Sequence, residues 1–102
     1  MPNSRSTNLY PKVVNGHTDQ ALSVADSVVQ FGAFSSACKY VVLDVQTADV
    51  RVTYDDSDPT SSNGHILFAG RSYTWAVETA RAAKFIRSGG TSATIHASEF
   101  TD

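Results

Sequence analysis

Three aspartates crowd one short segment of this chain: Asp55, Asp56 and Asp58, within Y-D-D-S-D-P-T (residues 54–60). Carboxylates this close could supply oxygens to a hard cation such as Ca2+, which takes about six to eight of them. The usual calcium loop also needs glycine at its sixth position and glutamate at its twelfth. Counted from Asp55, those places hold Thr60 and Ile66. Turn chemistry is the competing reading. Aspartate accepts hydrogen bonds from nearby backbone N–H groups, Pro59 pre-sets its own φ, and Gly64 takes angles that other residues avoid. The spacing favours the turn, with the aspartates reversing the chain between two strands.

The histidines His17, His65 and His96 lie far apart in sequence. A cupin-like metal site needs two or three of them converging inside a barrel, usually with a carboxylate. Only strand pairing could join His65 to His96. In T-I-H-A-S (residues 94–98) Ile95 and Ala97 alternate with His96, so His96 is expected to face away from the core, on a surface or interface. No G-x-S-x-G elbow is present. The S-G-G-T-S run lacks the lysine and the strand–helix setting of a phosphate-binding loop. Glu78 and Glu99 would hydrolyse a glycosidic bond only if held across a cleft, for which so small a domain has little room. No catalytic residue, cofactor or metal ligand is assigned, and the chain is not expected to be an enzyme.

Tyr73, Trp75 and Tyr54 offer flat rings for a sugar face, but the alternation of Tyr73 and Trp75 equally suits a core. Core is the stronger reading, as it is for Cys38, since an unpaired cysteine is usually a small buried residue. A single cysteine also allows no intrachain disulfide. The cations Arg71, Arg81, Lys84 and Arg87 bracket the Tyr73–Trp75 region. Together with His96 they are the candidate contact residues for a partner.

The elements that must position these groups are strands. The chain has 102 residues, enough for one domain with one core. Apolar residues make up 41% and charged residues only 18%. Abundant serine and threonine suit β-structure and turns. Residues 1–9 read as a flexible N-terminal arm and residues 10–102 as the folded domain. Short strands are expected at 10–14, twice within 21–34, and at 40–45, 48–54, 65–70 and 71–79. After a single helical turn or a bend at 80–83, a hairpin joins 84–87 to 93–100 through Gly89-Gly90, whose positive φ angles would permit a tight reversal. In V-V-L-D-V, Val41, Leu43 and Val45 share one face; in V-R-V-T-Y, Val50, Val52 and Tyr54 do. The expected fold is all-β: a single small antiparallel β-sandwich or jelly-roll-like domain.

A net charge of −2 with eight scattered Lys and Arg gives little support to nucleic-acid binding. No apolar run approaches the roughly 20 residues that span a bilayer, and the polar N-terminus lacks the apolar stretch of a secretory signal. A soluble protein made in a cytoplasm is expected.

The stretch T-A-D-V-R-V-T-Y-D-D-S-D-P-T-S-S-N-G-H-I-L-F-A-G-R-S-Y-T-W, followed by A-A-K-F-I-R-S-G-G-T-S-A-T-I-H-A-S-E-F, resembles small all-β virion proteins of tailed bacteriophages. The likeness rests on a D-V-R-V-T strand, a D-x-x-D-P-T turn, a G-x-x-L-x-x-G segment and a terminal K-F-I-R-x-x-G element, across residues 40–100. It implies a structural role as a capsid cement or decoration protein on the virion surface. The implied partners are the major capsid protein and further copies of the chain, with a trimer as the expected oligomer. The alternatives are a head–tail adaptor, a fibre-base protein, or a carbohydrate- or receptor-binding β-module.

Overall fold

A computed structural model describes residues 12–16 and 19–101. The expected arm, Tyr10 and His17 lie outside the described residues. Within them the chain forms eight strands and one short helix: β1 (Lys12–Val13), β2 (Gln20–Val24), β3 (Tyr40–Gln46), β4 (Val50–Thr53), β5 (His65–Leu67), β6 (Ser72–Ala76), α1 (Val77–Ala82), β7 (Lys84–Arg87) and β8 (Ala93–Thr101). Every strand pairing is antiparallel. The all-β expectation holds, with α1 the one helical element among the described residues.

The strands form two sheets, neither closed into a barrel. One runs β1-β8-β3-β6, with β2 also pairing β8, and the other runs β5-β4-β7. β3 and β8 form the spine of the first, in register from Tyr40 opposite Phe100 to Gln46 opposite Thr94. Tyr40 and Phe100 stack with centroids 5.9 Å apart, a cross-strand aromatic pair of the kind that fixes register. The alternation read in the sequence is the alternation of burial. Val41, Leu43 and Val45 of β3, Ile95 and Ala97 of β8, and Val50 and Val52 of β4 are all buried. With Phe85 of β7 they form one apolar cluster drawn from both sheets.

Three local expectations are corrected. β7 and β8 are not a hairpin: β7 pairs with β4 and β8 with β3, in different sheets. The Gly89–Gly90 connection therefore passes from one sheet to the other, and neither glycine is among those with positive φ. Crossing between two sheets takes more chain than a tight reversal, so the glycines meet a different demand. Between residues 21 and 34 only β2 is a strand; Val29 makes an isolated bridge to Phe85. Gly32 and Ala33 are held instead by the Gln20 side chain, whose Oε1 accepts from the Gly32 N–H at 2.8 Å. Finally, β6 stops at Ala76, and Val77 to Ala82 turn into a helix that buries Val77 and Ala80. Alternation through Val77 hides this change, because Val77 is buried in either conformation.

The edges of the smaller sheet are unequal. Beyond β7, the Arg87 N–H donates to the Ala25 carbonyl, and Val29 and Phe85 exchange backbone hydrogen bonds. Residues 25–29 thus cover that side. β5 pairs only with β4 and leaves its other side open among the described residues.

Candidate interaction surface and clefts

The aspartate segment connects β4 to β5, which pair antiparallel with Val52 opposite His65. It reverses the chain, as its composition predicts. Asp55 Oδ1 accepts from the Ser57 N–H and the Ser57 hydroxyl, and the Thr53 hydroxyl donates to the Ser57 carbonyl at 2.6 Å. Asp56 takes a left-handed φ of 69°, a conformation aspartate tolerates better than most residues. Thr60 and Asn63 then exchange backbone hydrogen bonds around Ser61 and Ser62. Gly64, at φ 118°, lies so close to β4 that a Cβ there would sit 3.0 Å from the Val52 carbonyl oxygen. Arg51 of β4 donates to the Gly64 carbonyl at 2.9 Å.

Lys84 closes this loop from β7. Its ammonium lies 3.3 Å from Asp56 Oδ1 and 3.3 Å from Asp58 Oδ1, and it donates to the Asp56 carbonyl at 3.0 Å. The hydrogen bonds that the ammonium donates to Asp56 and then to Asp58 hold Lys84 above the usual lysine range. The Ser57 hydroxyl and N–H hold the Asp55 carboxyl below the usual carboxylate range. Among the described residues no group of three His, Cys, Asp or Glu side chains is placed to hold a metal ion.

Two clefts flank the loop. One, of about 380 Å3, lies between Asp26, Arg87, Ile86 and the Pro59–Ser61 segment. The other, of about 330 Å3, is walled by Tyr54, Asp55, Ser57, Asn63 and His65. Tyr54 is half-buried and belongs to a row of rings that runs into the core. It meets Trp75 edge-to-face at 5.4 Å and lies tilted against His65 at 5.9 Å. Trp75 stacks on Phe85 at 6.1 Å, and Phe85 meets Phe31 at 5.2 Å. Burial pushes the Tyr54 phenol above its ordinary range.

The five candidate contact residues are spread over the molecule. Arg71 is exposed after the β5–β6 turn, its guanidinium 5.6 Å from the Phe68 ring centroid. Arg81 is exposed in the last turn of α1. Lys84 and Arg87 occupy opposite ends of β7, and Lys84 is engaged by its own aspartates. His96, half-buried on β8 opposite Asp44, alternates with the buried Ile95 and Ala97 and so points away from the core. His65 belongs to the other sheet, so strand pairing does not join it to His96. Trp75 and Tyr73 pack partly buried against the core, and the Tyr73 hydroxyl accepts from the Phe68 N–H at 2.9 Å.

Three features escape the sequence reading. Glu99, considered earlier with Glu78, is 7% exposed on the inner face of β8 and accepts from the Ser35 N–H at 2.9 Å, while Glu78 is exposed on α1. Its place in the buried register of β8 (Ala93, Ile95, Ala97) is the signal that could have found it. The pairing of Tyr54 with His65 follows from the β4–β5 register, which spacing alone does not fix. Ile66 on β5 and Phe68 just past it are exposed large apolar residues, at 36% and 48%; their place on either side of the buried Leu67 was readable from alternation.

No protein-family model, curated protein or solved structure matches this chain. Among the described residues no helix is long and apolar enough to cross a membrane.

Proposed function

We propose that this chain is a structural protein of a tailed-bacteriophage virion: a capsid cement or decoration subunit, without catalytic activity, that binds the major capsid protein. In this reading the two sheets are the facing layers of a small β-sandwich, and the protein sits on the capsid surface as a homo-oligomer, a trimer being the form that matches a local symmetry axis. The observation that carries the proposal is the open edge of β5, flanked by the exposed Ile66 and Phe68. An unpaired edge with apolar neighbours invites another chain unless something covers it. Arg71 beside Phe68 supplies a charged rim to the same patch, as interfaces commonly have. The resemblance of residues 40–100 to small virion proteins supports the major capsid protein as the partner. Repetition over a lattice would turn a modest contact at each site into firm attachment.

The test is quantitative mass spectrometry of purified virions of the phage that encodes the chain. A cement role requires on the order of hundreds of copies per particle, as a lattice of symmetric contacts demands. Particles that contain none would overturn the proposal. A copy number near a dozen would also overturn it, in favour of a neck, tail or fibre-base position.

A further inference from the structure

We propose that the cleft walled by Tyr54, Asp55, Asn63 and His65 is a binding site for a neutral sugar, taking one pyranose ring and its hydroxyls. This does not depend on the shell-binding proposal, since it concerns a different ligand, although His65 in the cleft wall also begins β5.

The backbone around this cleft is fixed while its polar side-chain ends remain available. Thr53 holds the Ser57 carbonyl, Ser57 holds Asp55 Oδ1, Arg51 holds the Gly64 carbonyl, and Asn63 is locked to Thr60 through the main chain. By contrast, the Asn63 amide, the Tyr54 hydroxyl and the His65 ring nitrogens have no hydrogen-bond partner among the described residues. A preorganised frame with free donors and acceptors is what a polar ligand needs, because little ordering is left to be done on binding.

The chemistry of the wall selects the ligand. A carboxylate accepts from hydroxyl groups, an amide both donates and accepts, and a neutral imidazole does both. Hydroxyl groups, which also do both, match all three. The Tyr54 and His65 rings add apolar surface for the C–H face of a sugar. Raised above its ordinary range, the Tyr54 phenol stays protonated and able to donate. Neither Lys nor Arg lines the cleft, and Asp55 would repel a phosphate, sulfate or carboxylate. A volume of about 330 Å3 is at the small end of ligand clefts, which run from about 300 to 1,000 Å3.

Titration of 15N-labelled protein with a panel of simple sugars tests this at pH 7.5: glucose, galactose, mannose, rhamnose and N-acetylglucosamine, with N-acetylneuraminic acid as an anionic comparison. At least one neutral sugar is expected to shift the amide resonances of Ser57, Asn63 and His65, with a Kd on the order of 1 mM. N-acetylneuraminic acid is expected to leave them in place. Asn63→Ala should weaken binding roughly tenfold, the effect of one hydrogen bond; Tyr54→Phe, which keeps the ring, should weaken it less. Ser61→Ala, on the other cleft, should bind as the parent does. The spectra themselves show whether each variant is folded. The proposal fails if no neutral sugar in the panel shifts these resonances, if the shifts map elsewhere, or if binding survives Asn63→Ala undiminished.

Discussion

Lys84 shows how one side chain can settle the meaning of an acidic cluster. Asp56 and Asp58 look like cation ligands, and they do meet a cation, the ammonium of a residue that lies 26 to 28 positions away in sequence. Its raised pKa fixes the sign of the linkage. A lysine bound more tightly to its proton in the folded state adds stability that is fully present below the unfolded value, near 10.5, and is lost as pH climbs through the folded value. Lys84→Met should therefore lower the melting temperature at neutral pH, and the gap from the parent should close in strongly alkaline solution. Thermal melts from pH 7 to pH 11 measure this, and a gap unchanged across that range would show that Lys84 acts through its aliphatic stem alone. The turn itself was legible because Asp, Pro, Ser and Gly each have a local reason to be there. The lysine was not, because an ion pair between a strand and the loop of a neighbouring strand depends on a topology that spacing does not determine.

At the scale of elements, β3, β4 and β8 could be read from sequence because each buries one face, so period two appears directly as apolar against polar. Alternation assigns faces but not partners. It could not place β7 beside β4 rather than β8, nor see that Val77 opens a helix. The strand that best displays the packing is β7. Phe85 is fully buried and touches the rings of Phe31 and Trp75, whereas Phe68, just past β5, is 48% exposed. Phe85→Leu should cost about 1–2 kcal/mol through lost contact and a residual cavity. Phe68→Ala should stay within about 0.5 kcal/mol, as surface changes usually do. Urea denaturation compares the two, and equal costs would contradict the burial pattern. The sugar cleft was only half visible in the sequence. Its aspartate is legible as a turn residue, its asparagine carries no separate signal, and its aromatic wall exists only because the β4–β5 register sets Tyr54 beside His65.

The whole molecule presents two outer features: an open strand edge with apolar neighbours, and a cleft beside a loop whose Asp56 and Asp58 are held by Lys84. These suit two kinds of recognition, one by another polypeptide and one by a small polar ligand. Beneath them lies a single core, reached by both sheets and including the chain's one thiol. Cys38 is 4% exposed, and burial pushes its pKa up, so little thiolate forms and little of it meets solvent. A maleimide or similar alkylating probe should therefore react only when the fold opens. Labelling at neutral pH should run at least about a thousandfold slower than in unfolding concentrations of urea, in keeping with the stability of small domains. The protein thus carries its own clock for opening, with no engineered tag, and contact with a partner that clamps the two sheets together would make that clock run slower still.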